Sequence, residues 1–464
     1  MNPFFETLTP YRYLDLLQKI VMVKRSEQWE RETIERIQRE RFEALLYHVM
    51  EHSLFYRLYY REHGIVKSDI PDLKIEDLPL IDKQIMMTHY NEFVCDTNLK
   101  QNELEAFLAD PRNRGKKYKE RYEVIHTSGS TGHVGIFVYD MRSWNIIKAL
   151  AITRVCKEKI NPFRKIHLAF MGATDGHYAG ISLSSDAPKL FYDFRPFSVN
   201  RPMYETLDEL QAFGPTTLCG YASGIYLLAV EQLQGKLSIK PDRIIASGDQ
   251  LTEKMRQTIL DAFGIEPTNF YAASESLCMA TTCYMHEGLH LFEDWHCFEV
   301  LDSGLKPVKA GESGSLVLTT LYNYAQPLIR YRMHDELSLH DDTCPCGSAY
   351  GRIRGISGRS EEFLWFTLPD GNEEYLHPIQ IVEFFVPGLE KFQLIQQTSE
   401  HLLMRLIVTG DTQKVQQETA KRMMEILQGK KLDKVVHFST EVVESIAHDA
   451  KTGKFRLIIP YKNR

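Results

Sequence analysis

Apolar positions recur at helical spacing early in the chain and give way to short, dense runs further on. Ile34, Ile37, Leu45 and Val49, with Glu, Arg and Gln between them, predict helix over residues 27–62. Residues 78–83 mark a loop and a new helix start, and residues 110–121, rich in Arg, Lys and Gly, form a polar connector. Tyr122-Glu123-Val124-Ile125 and Gly135-Ile136-Phe137-Val138-Tyr139 read as the two strands of a hairpin, followed by an amphipathic helix over 142–157. Runs at 166–171 and 243–247 have the length of buried strands. Leu218 precedes a turn at Gly220-Tyr221-Ala222-Ser223-Gly224 and a helix through Gln234, a further helix begins near Thr252, and Asn269-Phe270-Tyr271 follows. Strands alternating with helices predict a mainly parallel sheet with helices on its faces. From 289 to 331 strands and turns replace the alternation, which predicts a β-rich subdomain. After Gly358-Arg359 the pattern restarts: a strand pair at 392–397 and 402–408, a helix capped by Asp411 or Thr412 and ended by Gly429, and a third strand at 435–438. The expected fold class is α/β, with an N-terminal domain over 1–358 and a small α+β domain over 359–464.

Composition narrows the function classes. A chain of 464 residues with 43% hydrophobic and 25% charged residues is globular and long enough for two or three domains. A net charge of −7 gives no electrostatic case for nucleic acid or an anionic membrane. No run approaches the roughly 18 apolar residues of a membrane span, and the first residues lack a secretory pattern. Eight cysteines form no disulfide framework, so a reducing, cytoplasmic setting is expected.

The chemistry centres on His126-Thr127-Ser128-Gly129-Ser130-Thr131-Gly132-His133, between the two hairpin strands. Small residues there combine free backbone N–H groups with hydroxyl donors, a combination able to wrap phosphate oxygens. It is not a Walker A loop, which needs Lys after the last Gly and a helix following. Ser, Thr and Gly are also ordinary turn residues, so the loop alone fits a plain hairpin tip as well.

Later segments answer it, and together they carry a resemblance. Thr127-Ser128-Gly129-Ser130-Thr131-Gly132, Tyr271-Ala272-Ala273-Ser274-Glu275, Ile329-Arg330-Tyr331-Arg332-Met333-His334-Asp335, Gly358-Arg359-Ser360-Glu361-Glu362 and Thr452-Gly453-Lys454-Phe455-Arg456 resemble, in order, five motifs of the adenylate-forming superfamily. Pro327-Leu328-Ile329-Arg330-Tyr331-Arg332, Gly288-Leu289-His290 and Cys344-Pro345-Cys346-Gly347 are most similar to its phenylacetate–CoA ligase branch. The resemblance implies that ATP activates a carboxylic acid, aryl or arylacetic by branch, to an acyl-adenylate, and that a thiol, coenzyme A or a carrier protein's, then takes the acyl group.

Joining two anions asks for electrostatic catalysis. The resemblance makes Lys454, Glu275 and Thr131 catalytic, with Glu275 holding Mg²⁺ through carboxylate oxygen and Lys454 covering the α-phosphate and the incoming carboxylate. Asp335 would accept from both ribose hydroxyls, although pairing with Arg330 or Arg332 is the plain alternative. Ser247, Gly248, Asp249 and Tyr271 would line the adenine site, Ala272, Ser274 and Arg359 would contact nucleotide, and a mobile C-terminal lid would turn about Glu362. Gly172, His177, Tyr178, Gly220 and Tyr221 are candidates for the acyl pocket or for packing.

Cys283, His290, Cys344 and Cys346 are a candidate structural Zn²⁺ set, with His286 and Cys278 as rival ligands and reduced loop cysteines as the alternative. Departures from the pattern are the absent Lys downstream of the loop, Ala272, Glu362 in place of Asp, and Leu368-Pro369-Asp370-Gly371-Asn372 in place of the glycine-containing stretch that approaches pantetheine. That last change keeps an amine or hydroxyl acceptor open. An inactive nucleotide-binding regulator is opposed by the joint presence of Glu275, Asp335 and Lys454. A homodimer stays open.

Overall fold

The computed structural model describes residues 9–127, 135–157, 164–285, 288–357, 363–369, 371, 373–382, 384, 386–447 and 456–461. A small hairpin, β1 (Glu123–His126) against β2 (Ile136–Tyr139), precedes the main sheet. The main sheet takes β3 (Ile166–Gly172), β4 (Tyr192–Ser198), β5 (Thr217–Tyr221), β6 (Arg243–Ser247), β7 (Thr268–Ala273), β8 (Ser276–Thr282), β9 (Leu289–Leu291), β10 (His296–Leu301), β11 (Ser313–Thr320), β12 (Tyr331–Leu339) and β13 (Arg352–Ser357). Its order is β10-β11-β12-β13-β9-β8-β7-β6-β5-β3-β4.

The alternating stretch of sequence forms the parallel half, from β7 to β4. The strand-and-turn stretch continues the same sheet as its antiparallel half. Alternate residues of one strand serve different cores. Leu168 and Phe170 of β3 face one cluster, while Ala169 and Met171 face another with the helices Met203–Phe213, Ala222–Leu233 and Glu253–Phe263. Among the described residues no helix is long and apolar enough to cross a membrane.

Local chemistry moves several predicted boundaries. The helix expected over 27–62 is two helices, Arg31–His52 and Leu54–Glu62, because Ser53 is extended and its side chain accepts from Tyr56 N to start the second. The turn expected at 220–224 is absent: Gly220 and Tyr221 complete β5, and the helix starts at Ala222. Gly220 sits at φ 142°, where a Cβ would lie 2.0 Å from Met171 O, so only glycine lets β5 lie this close to β3. The helix expected over 142–157 is α-helical over Met141–Leu150 and winds into a π-turn at Ala151–Cys156.

The C-terminal part has its own core of Leu364, Phe366, Leu394, Met404, Met423, Leu427 and neighbours. It holds a hairpin of β14 (Leu364–Thr367) and β15 (Glu373–Leu376) and a sheet of β16 (Leu389–Gln396), β17 (His401–Val408), β18 (His437–Val442) and β19 (Ile458–Ile459), in the order β18-β17-β16-β19. The helix Thr412–Gly429 is capped by Asp411, and the third strand begins at His437, later than expected. The fold is therefore a large mixed α/β domain followed by a smaller α+β unit.

Candidate active site

A cleft of about 950 Å³ opens where the parallel and antiparallel halves of the sheet meet. Thr127, at the neck of the small hairpin, lines it, tied by its N–H to Gly135 O (2.9 Å) and by its Oγ1 to Gly135 N–H (3.0 Å). Ser128, Gly129, Ser130, Thr131, Gly132 and His133 lie outside the described residues. Beside Thr127 stands a cation the sequence did not single out. Lys83, only 9% exposed, lines the cleft and places Nζ 3.3 Å from Thr127 Oγ1. It begins a helix capped by Asp82, and Ile81 just before it bridges to β12, with Ile81 N donating to Arg330 O and Arg332 N to Ile81 O. By pattern Lys83 is an ordinary lysine after a helix cap; only its burial distinguishes it.

A second wall is the β7–β8 hairpin. Ala273 pairs with Ser276, leaving Ser274 and Glu275 as a two-residue turn. Tyr139 OH donates to Ser274 O at 2.6 Å, while Ser276 Oγ, buried behind the turn, contacts His296 Nε2 (2.8 Å) and Tyr322 OH (2.9 Å). Glu275 and Ala272 line the cleft. Tyr271 OH donates to Asp335 Oδ2 at 2.6 Å, so these two predicted residues meet. Of the two arginines that are the plain partners for Asp335, Arg330 or Arg332, Arg330 turns away to Glu299 (3.0 Å) and to the carbonyls of Glu76 and Leu78.

Gly248 and Asp249 also line the cleft, whereas Ser247 borders a second, apolar cavity and its Oγ donates to Gly220 O. Gly248 takes φ 80°, and a Cβ there would strike the Tyr221 ring at 2.5 Å. Burial pushes the Asp249 carboxyl up to about 6, against its hydrogen bonds from Ser223. Ser223 Oγ reaches both Asp249 and His377 Nε2, a residue of the C-terminal unit. Arg359, Glu362 and Lys454 lie outside the described residues.

The apolar cavity, about 100 Å³, is lined by the π-turn residues Ile152 and Val155, by Phe170, Leu183 and Ile245, and adjoins the cleft at Phe270. Gly220 borders it and Tyr221 borders the cleft, while the Phe170 ring fills the space a side chain at Gly172 would need. His177 packs on Phe107 (5.2 Å between rings) and Tyr178 on His126 (5.0 Å). Lys148 at the cavity's edge is matched by Asp186 at 3.1 Å.

The predicted metal set converges. One donor atom from each of Cys283, His290, Cys344 and Cys346 lies within 4.8 Å of the others. Cys283 Sγ is 3.5 Å from Cys344 Sγ, and His290 Nε2 is 3.2 Å from Cys346 Sγ. His290 Nδ1 faces Tyr350 O at 3.2 Å, which leaves Nε2 aimed at the cysteines. Backbone N–H groups of Met285 and Ser348 point at Cys283 and Cys346 sulfur. Cys278 is not a ligand: it is buried in the core with Sγ toward Ile147 O. His286 lies outside the described residues. Two thiols and one imidazole with a further thiol suit tetrahedral Zn²⁺, whose S···S edge is about 3.8 Å for Zn–S bonds of about 2.3 Å.

No protein-family model matches the chain. It is 27% identical to the phenylacetate-coenzyme A ligase of Thermus thermophilus over 344 residues, 72% of each chain. It is 22% identical to Protein CapK of Staphylococcus aureus over 82% of this chain and 79% of that one. Among solved structures, it is similar to a 2-hydroxyisobutyryl-CoA ligase in complex with 2-HIB-AMP and CoA, with a TM-score of 0.63 and 21% identity over 94% of this chain and 91% of the other.

Proposed function

The chain belongs to the adenylate-forming, acyl-CoA synthetase superfamily, and from that premise we propose that it is an AMP-forming acid–thiol ligase for a compact aryl or arylacetic acid. In the first half-reaction a carboxylate oxygen attacks the α-phosphorus of ATP and pyrophosphate leaves. In the second, the acceptor's thiolate attacks the acyl carbon and AMP leaves. The observation that carries the reading is the convergence of Lys83, Thr127, Glu275 and the Tyr271–Asp335 pair on one cleft.

Each side chain has a task set by charge. Lys83 and the hydroxyl of Thr127 would meet phosphate oxygens, with Lys83 supplying the cation that the motif lacks downstream. Glu275, fixed on a two-residue turn, would hold Mg²⁺, which when bound supplies charge neutralisation between phosphates. Asp335 has one oxygen occupied by Tyr271 and the other to accept from ribose hydroxyls. Lys454 would cover the α-phosphate from the C-terminal unit, which we place at 359–464 and take to turn about Glu362. Cys283, His290, Cys344 and Cys346 would hold Zn²⁺ as a structural staple.

The apolar cavity supports the choice of acid. At about 100 Å³ it is of the order of the roughly 150 Å³ apolar cavity known to take up benzene, and Lys148, already paired with Asp186, offers no counter-charge to a second carboxylate.

The test is ATP–pyrophosphate exchange over aryl, arylacetic and fatty acids. Exchange should depend on a single-ring acid and fall at least a hundredfold in Lys454→Ala and tenfold in Lys83→Met. Exchange with long-chain acids alone would overturn the substrate assignment. No exchange with any acid would overturn the ligase reading.

One observation favours a second reading of the acceptor. Where the family's glycine-containing stretch approaches pantetheine, this chain builds the β14–β15 hairpin, with Trp365 opposite Tyr375. A carrier-protein thiol, an amine or a hydroxyl would then replace coenzyme A, and turnover with free coenzyme A alone decides against it.

A further inference from the structure

The C-terminal unit touches the large domain at two places that the reaction just described does not use. At the cleft, His377 Nε2 lies 2.6 Å from Ser223 Oγ, and Ser223 Oγ also bonds Asp249. Some distance along the interface, Lys430 Nζ donates to Arg201 O at 3.0 Å while pairing with Glu374 at 3.1 Å, and Lys431 reaches Tyr204 OH at 2.6 Å and Glu205. The first contact is the more specific. His377 is 1% exposed, boxed between the rings of Phe363 (5.2 Å) and Tyr221 (5.7 Å). An imidazole enclosed this fully needs its polar atoms matched, so loss of the Ser223 contact leaves a buried group unsatisfied.

The proton order is set by acceptor strength. A carboxylate is the stronger acceptor, so the Ser223 hydroxyl donates to Asp249 and its oxygen accepts from the Nε2–H of a neutral His377. Asp249 itself accepts weakly from Ser223 N–H at 3.4 Å, at the start of the helix Ala222–Leu233. The relay thus runs from the C-terminal unit into a helix N-terminus of the large domain.

The contact also selects an orientation. Phe363, His377 and Pro378 line the cleft, and among the described residues 456–461 none does. The inward face carries the residues that flank β14 and β15, and the terminal strand β19 pairs with β16. With Phe363, His377 and Pro378 on the cleft, the unit presents to it residues that follow Glu362 closely in sequence, which suits the step after adenylation.

Resting on the ligase reading, we infer that His377 is a positioning residue of the second half-reaction, docking the C-terminal unit on Ser223 in the thiol-transfer orientation. The two half-reactions separate this from a general structural role. With purified full-length protein, His377→Ala should slow transfer from preformed acyl-adenylate at least tenfold more than it slows pyrophosphate exchange. His377→Gln, which keeps a donor near Nε2, should recover part of that loss. Ser223→Ala combined with His377→Ala should add little to either alone.

Equal loss in both half-reactions, or an undisturbed transfer step, would overturn the inference. Amide exchange at residues 221–225 gives a readout independent of activity: His377→Ala should raise it at least tenfold, and unchanged protection would refute the contact. A wild-type chain inert toward every acid would instead refute the ligase reading, and amide exchange would still judge the contact.

Discussion

His296 is wholly buried directly behind the turn that carries Glu275. Its Nδ1 faces Phe292 O at 2.9 Å and its Nε2 faces Ser276 Oγ at 2.8 Å, so both ring nitrogens are committed. Burial pushes its pKa down to about 4, and the same cause takes His177 to about 4 and His377 to about 3. In the unfolded chain these imidazoles take up protons near pH 6.5, so between about 6.5 and 4 the unfolded state binds more protons than the folded one. Stability is full above about pH 6.5 and is lost as the pH falls toward 4. Melting temperature should therefore decline on acidification through that window, with a shallower slope in His296→Gln; an unchanged slope would remove His296 from the account. Residues of this kind are poorly legible in sequence. Tyr271, Glu275 and Asp335 could be picked out because motifs frame them, whereas Lys83 and His377 act through burial and through partners more than forty and a hundred positions away.

At the scale of elements, the π-turn Ala151–Cys156 continues the α-helix Met141–Leu150. It inserts Arg154 into the protein, where two guanidinium nitrogens meet both Asp294 oxygens at 2.8 and 2.7 Å and a third contact reaches Ser26 Oγ at 2.7 Å. Arg154 and Asp294 are 6% and 1% exposed, and the pair joins the helix layer to the turn before β10. Removing one partner of such a pair strands a buried charge, so Asp294→Ala should destabilise the fold by about 3–5 kcal/mol, measured by urea denaturation. A cost below about 1 kcal/mol would mean that the charge finds water. Periodicity predicted a continuous helix here because a π-turn adds one residue to one turn without disturbing the apolar count. The same blindness applies to Ser53, whose role as a cap is visible only once Glu92 and Phe93 supply acceptors for its hydroxyl.

For the whole molecule, the four-residue cluster Cys283, His290, Cys344 and Cys346 joins the β8–β9 turn to the β12–β13 connection. β8 runs back to Glu275 and β12 carries Asp335, so the cluster ties together the two hairpins that present the acidic residues of the cleft. Purified protein should contain about one zinc per chain by elemental analysis. Chelation or Cys344→Ser should lower the melting temperature by about 4–10 °C while weakening nucleotide binding far less than Asp335→Asn does. A metal-free chain of unaltered melting temperature would rule the staple out. Sequence order exposed this cluster only as two separated pairs, since nothing in a spacing of more than fifty residues reveals that β9 and β13 are neighbours in the sheet.

The cleft draws on Lys83, Thr127, Asp249, Glu275, Asp335 and His377, and this dispersion governs when a newborn chain first acquires its site. With its walls spread over some 300 positions, at about 5–20 residues per second a ribosome takes roughly 15–60 seconds between exposing the first wall and the last. Within that interval the parallel strands, finished at Ala273, wait for their antiparallel continuation to be completed at Ser357, roughly 4–17 seconds later at the same rate. The cleft therefore lacks a complete set of walls until His377 has been made, and the early half of the sheet must be shielded by its own helices or by chaperones meanwhile.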